Sequence, residues 1–197
     1  MEQRIDLGVI GDRTFVNDAS FGAYAEVVRS PAYRDDRCGT TLAILPHLLS
    51  GHQGAKLTAR AGAITITGPQ ALLVSNNAYD TSDIGGLGHR ARLDTGALGV
   101  VAVTANSAVR AVELLGGGGV TILAADEVVV DADVPEIPVG IDGETIMMCT
   151  LVRCTIQQRA LRVRVLKDRP GVRPPKPALD WQALRQLASF RSAPART

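Results

Sequence analysis

Hydrophobic and polar residues alternate along much of this chain with a period of two, the pattern of strands that bury one face and expose the other. Residues 4–10 (Arg-Ile-Asp-Leu-Gly-Val-Ile) begin it, and Gly11-Asp12 predicts a tight turn before Thr14-Phe15-Val16. Gly and Asp tolerate the backbone angles such a hairpin requires. The β pattern returns in Lys56-Leu57-Thr58-Ala59-Arg60, in Ile64-Thr65-Ile66-Thr67 and in the apolar run Ala71-Leu72-Leu73-Val74, with Gly62 and Gly68-Pro69 as punctuation. Further strands are predicted over 97–103, 120–123, 128–130, 150–154 and 161–165.

Helical spacing interrupts this pattern. Leu42, Leu45, Leu48 and Leu49 follow Thr40-Thr41 and precede Gly51, which predicts a helix within 37–50. Ser107 to Leu115 reads as a short helix ended by Gly116. Residues 168–178 hold four prolines, which exclude a helix interior or a central strand, so this stretch is a linker. Asp180 can cap a last helix over 179–190, with Trp181, Leu184, Leu187 and Ala188 on one face, and 191–197 form a frayed tail. The organisation is therefore one domain over 1–167, followed by linker, helix and tail. Many short strands divided by turns predict a mainly β (α+β) fold, a two-sheet β-sandwich with a few peripheral helices. Alternating strand–helix units of a nucleotide-binding parallel sheet are missing.

Composition narrows the function. With 21 Lys and Arg against 20 Asp and Glu, the chain offers no overall basic field for nucleic acid or for an acidic membrane surface, so no nucleic-acid partner is expected. Cys38, Cys149 and Cys154 lack metal-ligand spacing and read as thiols in a reducing cytoplasm. The start, Met-Glu-Gln-Arg-Ile-Asp, is not the pattern of a signal peptide, and no apolar run reaches membrane-spanning length. Any contact with lipid is then peripheral. His47 and His89 have no partner at metal spacing, and no Ser-His-Asp order supports hydrolysis.

Asp142-Gly143 is a hairpin signal, and the turn would present the following Glu144 rather than bury it. A Glu after such a turn is usually just solvated. Asn76, Asn77 and Tyr79 end a strand and open a loop, a place for polar groups lining a cleft or for side-chain bonds that only hold the loop. Asn17 and Ser20 have the same standing.

Four pieces in order resemble the diacylglycerol kinase catalytic family of bacterial lipid kinases, related to sphingosine kinases. They are Phe15-Val16-Asn17-Asp18-Ala19-Ser20-Phe21-Gly22; Tyr33-Arg34 with Arg37-Cys38-Gly39 and the helix after it; Val74-Ser75-Asn76-Asn77-Ala78-Tyr79, a glycine-rich loop and Ala91-Arg92-Leu93-Asp94-Thr95-Gly96-Ala97-Leu98; and Pro138-Val139-Gly140-Ile141-Asp142-Gly143-Glu144. Together they span about residues 5–165.

The resemblance implies the C-terminal, acceptor-side half of an ATP-dependent enzyme that phosphorylates a lipid hydroxyl such as that of diacylglycerol. It implies Glu144 as general base, Asp142 as its helper, and Asn17, Ser20, Asn76, Asn77 and Tyr79 as substrate-side residues. It further implies a Mg2+ ion held by Asp94 with carbonyls near Ala91 and Gly96. Here the sequence departs from the family, which has Asp-Gly where this chain reads Asp94-Thr95-Gly96. The family's Gly-Gly-Asp-Gly-Thr nucleotide motif is absent, and Gly116 to Gly119 lack its acid and threonine. ATP would then be bound mainly by a separate N-terminal nucleotide-binding domain, and the chain alone would be inactive. Work at the cytoplasmic face of the inner membrane follows from the same resemblance. The alternatives are a non-catalytic lipid-binding or regulatory module, or a self-associating structural β protein.

Overall fold

The computed structural model describes residues 2–29, 54–79, 90, 92–104 and 120–165. The helices expected over 37–50, 107–115 and 179–190, the Tyr33–Gly39 motif, the linker, the tail and both singled-out histidines lie outside the described residues.

The strands are β1 (Glu2–Ile10), β2 (Arg13–Phe15), β3 (Asp18–Gly22), β4 (Leu57–Ala61), β5 (Ile64–Thr67), β6 (Ala71–Asn76), β7 (Leu98–Val103), β8 (Val120–Ala125), β9 (Glu127–Ala132), β10 (Glu136–Ile141), β11 (Glu144–Cys149) and β12 (Val152–Arg164), with one short helix, α1 (Ala23–Arg29). They form two antiparallel sheets of six, in the orders β2-β1-β12-β9-β4-β5 and β11-β10-β3-β6-β7-β8. The expected two-sheet sandwich is what the chain forms.

Alternation explains the layers. Ile137, Val139 and Ile141 of β10 and Val128 and Val130 of β9 point inward, where they meet Ile10, Phe15, Phe21, Leu72 and Leu98. Burying each such side chain contributes about 1.5–3 kcal/mol. Gly8 leaves room for the Phe15 ring, since a Cβ at position 8 would overlap its edge atoms. Aromatic residues are scarce, and close packing of this kind makes the two core rings sufficient.

Some elements differ from the sequence expectation. β12 joins the runs expected at 150–154 and 161–165 into one strand, because β1 pairs along it through Ile10↔Cys154 and Glu2↔Arg164. β3 pairs with β6 and β10 on both sides, although its residues (Asp-Ala-Ser-Phe-Gly) have little strand preference. The chain enters β3 directly from β2, so residues 16 and 17 cross from one sheet to the other. That crossover supports the candidate site.

Candidate functional site

The β10–β11 hairpin has two residues in its loop. Ile141 pairs with Glu144, and both Asp142 (φ 48°) and Gly143 (φ 92°) are left-handed. This is the mirror-image turn that matches strand twist, and Asp with Gly is the pair that adopts it most readily. Asp142 is also a clamp. Its Oδ2 accepts from the Val16 amide at 2.8 Å, and its Oδ1 accepts from the amides of Asn17 at 2.7 Å and Asp18 at 3.1 Å. The Asp142 amide donates in return to the Asp18 carbonyl at 3.0 Å. A carboxylate held by three amides fixes the turn, and with it the base of Glu144.

Glu144 lines a groove of about 430 Å3 with Asp12, Arg13, Thr14, Ile141, Asp142 and Ile146. The groove opens where β2 and β11, the edge strands of the two sheets, lie on the same side of the sandwich. Glu144 is exposed, and no salt bridge among the described residues engages it.

Behind this wall lies a second polar group. Asn76 is buried, and its Nδ2 donates to the carbonyls of Asp6 at 2.7 Å and Val16 at 3.2 Å. Asn77, also buried and left-handed at φ 67°, accepts through Oδ1 from the Thr95 amide at 2.7 Å and from the Thr95 hydroxyl. Ser20 is buried too and donates to the Gly140 carbonyl at 3.4 Å. These three side chains are spent on the protein's own backbone and neighbouring side chains.

Asn17 and Tyr79 meet at Asp18. The Asn17 Nδ2 donates to Asp18 Oδ2 at 2.7 Å, and the Tyr79 hydroxyl donates to the same oxygen at 3.2 Å. Arg90, which the sequence did not single out, ties them together. Its Nη1 donates to the carbonyls of Val16, Asn17 and Asn76 at 3.3, 3.0 and 2.8 Å, and its Nη2 donates to Asn17 Oδ1 at 2.7 Å. Its guanidinium also lies 5.4 Å from the centre of the Tyr79 ring.

Asp6 is the other residue that sequence reasoning missed. It is fully buried, its Oδ2 accepts from the Gly96 amide at 2.8 Å, and its Oδ1 accepts from the Arg159 amide at 2.7 Å. An acid between Ile5 and Leu7 in an apolar strand was a legible signal of such a buried role.

Asp94 stands apart from the groove residues. Arg92 grips it, Nε to Oδ1 at 2.9 Å and Nη2 to Oδ2 at 3.1 Å. The hydrogen bond from Arg92 holds the Asp94 carboxyl below the usual carboxylate range. Gly96 turns its amide to Asp6, and Ala91 lies outside the described residues. Among the described residues no three acidic, His or Cys side chains gather as a metal site. Mg2+ takes one or two carboxylates and keeps several waters, so Asp94 could serve as a ligand only once Arg92, which engages both of its oxygens, releases it; no chemical step is assigned to it.

No family model matches the sequence, and no curated protein matches it. Solved structures do. Three solved structures of proteins assigned as diacylglycerol kinases, all from Bacillus anthracis str. Sterne, superpose with TM-scores of 0.59, 0.57 and 0.53 at 14%, 15% and 12% identity. The fold is that of the diacylglycerol kinase structures. Each match covers 82% of this chain but only 56%, 55% and 53% of the kinase chain, so this protein spans little more than half their length. At such identity the likeness to diacylglycerol kinases is one of fold, and it agrees with the resemblance seen in the motifs.

Proposed function

We propose that this chain is the acceptor-side domain of an ATP-dependent lipid kinase, acting on a lipid hydroxyl such as that of diacylglycerol. Phosphoryl transfer requires positioning and charge stabilisation more than covalent help from the protein. A lipid alcohol is nevertheless a weak nucleophile, and a carboxylate within reach can take its proton as it attacks. Glu144 has that role. Asp142 holds the turn beneath it through the Val16, Asn17 and Asp18 amides, which keeps the carboxylate facing the groove. Ile146, half-buried at the groove, offers apolar contact for the lipid, and Ile141 behind it belongs to the core. Asn17, Ser20, Asn76, Asn77 and Tyr79 serve the acceptor indirectly, by fixing the backbone of the groove wall.

A separate nucleotide-binding domain would hold ATP together with Mg2+, which would supply charge neutralisation for the phosphoryl group. The chain needs that domain for activity. Among the described residues no helix is long and apolar enough to cross a membrane, which is consistent with peripheral work at the inner face of the cytoplasmic membrane.

The observation that carries this reading is Glu144, unpaired among the described residues and lining a groove on a clamped turn, within a diacylglycerol kinase fold. The test mixes this chain with a separately expressed nucleotide-binding half of one of the similar kinases, ATP, Mg2+ and diacylglycerol. Formation of phosphatidic acid is expected to require both parts and to fall about a hundred- to ten-thousand-fold in Glu144→Gln. Equal turnover by Glu144→Gln overturns the assignment. Lipid binding with no turnover in a mixture whose nucleotide half binds ATP supports a lipid-binding module instead.

A further inference from the structure

Successive side chains of a strand alternate between its two faces, so residues two apart share a face. On β11, Ile146 and Met148 pack against the core, which places Glu144 on that same inward face. On β2, Phe15 is fully buried in the core, and Arg13 shares its face. Both charged residues are nevertheless exposed, because each begins its strand at the end where the core stops and the groove opens. The two sheet edges are close there. A Cβ added at Gly11 would lie 3.2 Å from the Met148 methyl. Register thus sets Arg13 and Glu144 on opposed inner faces of one cleft, and packed sheets lie roughly 10 Å apart.

Arg13 is fixed at its backbone and unengaged at its head. Ile10 pairs with Arg13 to close the two-residue Gly11-Asp12 turn, with Gly11 left-handed at φ 58°. The guanidinium makes no ion pair among the described residues, although Asp12, Asp142 and Glu144 line the same groove. Arg92 behaves differently, since it grips the acid two residues along from it. Three amides already occupy the Asp142 carboxylate. Among the described residues Arg13 is the groove's one basic side chain.

We propose that Arg13 binds the phosphoryl group that the groove receives, opposite the Glu144 carboxylate. The assignment rests on the lipid-kinase reading above and adds a residue to it. Transfer brings an anionic phosphoryl group up to a carboxylate, and a cation preplaced at the site offsets that repulsion. A guanidinium suits the task because its parallel N–H groups match two phosphoryl oxygens at once. As the lipid oxygen bonds to phosphorus, the bond to the ADP oxygen breaks and ADP leaves with the electron pair. The hydroxyl proton passes to Glu144. Arg13 takes part in no bond change; it holds the phosphoryl oxygens, and afterwards those of the phosphomonoester product. The groove therefore prefers a phosphorylated lipid to the free alcohol.

Isothermal titration calorimetry of the full chain with monomeric short-chain phosphatidic acid tests this, with the matching diacylglycerol as the uncharged comparison. Phosphatidic acid is expected to bind more tightly. R13Q should weaken that binding about ten- to a hundredfold and leave diacylglycerol binding unchanged. R13K, which keeps the charge without the fork, should fall between. R60Q removes an equal charge from exposed Arg60 of β4, outside the groove, and should bind as the native chain does. With a supplied nucleotide half, R13Q should lower kcat about a hundred- to a thousandfold with little change in KM for diacylglycerol. Native-strength phosphatidic acid binding by R13Q, or equal weakening in R60Q, overturns the proposal. So does full turnover by R13Q where E144Q is inactive, a result that leaves the kinase reading standing. Full turnover by E144Q would overturn that reading instead, and the binding comparison then decides Arg13 by itself.

Discussion

Asp142 Oδ1 accepts a hydrogen bond from the Asn17 amide at 2.7 Å, joining a hairpin and a sheet crossover that lie 125 residues apart in sequence. The bond does what neither segment does alone. It fixes the turn that carries Glu144 against the strand that frames the groove.

Replacing Asp142 by Ala should therefore loosen the wall more than it unfolds the domain. The clamp is exposed, so water can solvate the three amides once the carboxylate is gone. A loss of about 1–2 kcal/mol is expected from urea unfolding, as for exposed hydrogen bonds to a charged group. Amide exchange at Val16 and Asn17 should accelerate, and activity with a supplied nucleotide half should fall although Glu144 is intact.

Asp6 predicts the opposite balance. It is buried and satisfies the Gly96 and Arg159 amides. Asp6→Ala leaves two inward donors without an acceptor, at about 2–4 kcal/mol in urea unfolding. Asp6→Asn retains an oxygen for one of them and should lose less. If the two variants are equally stable, the two amides find other acceptors and this account of Asp6 fails.

These two acids also measure what the sequence could tell. β4 to β7 were legible because β-branched runs are set off by Gly62 and Gly68, and the β1–β2 turn was legible from Gly11-Asp12. β3 was not, since Asp-Ala-Ser-Phe-Gly becomes a strand only through its partners β6 and β10. α1 has seven residues, too few to give a clear helical period. The stretch Gln157-Gln158-Arg159-Ala160 in β12 is polar and exposed; only Gln157 pairs with β1, and a register shift opposite Asp6 takes up the other three. In the site, Glu144 could be found from the Asp-Gly turn before it and Asp6 from its apolar neighbours. Arg90 carried no local signal, because its three carbonyl partners come from residues 16, 17 and 76.

The Arg92–Asp94 pair predicts a pH response. The Asp94 carboxyl is held below its ordinary range, first by the hydrogen bond from Arg92. A group depressed in the folded state stabilises above its unfolded pKa, and that stability is lost as pH falls through the folded pKa. The pair is exposed, so the effect on folding is small. A carboxyl-detected NMR titration should place Asp94 below the usual aspartate range, and Arg92→Ala should return it toward that range. Magnesium added to Arg92→Ala, where Asp94 is released, should shift Asp94 more than magnesium added to the native chain.

The thiols should separate clearly. Burial pushes the Cys154 thiol up to about 12, whereas Cys149 is exposed. Iodoacetamide at pH 8 should alkylate Cys149 and spare Cys154 until urea unfolds the chain, as read by peptide mass mapping. Early labelling of Cys154 would contradict the packing of β12 against the core.

The most direct test of the acceptor groove is a methyl NMR titration of the chain with a short-chain diacylglycerol. Ile141 and Ile146 line the groove beside Glu144, so their methyl signals should shift in a saturable way. Glu144→Gln, which keeps the shape but loses the charge, should bind comparably and yet fail to support phosphorylation. Saturable shifts confined to other methyls, with Ile141 and Ile146 unmoved, would contradict the account.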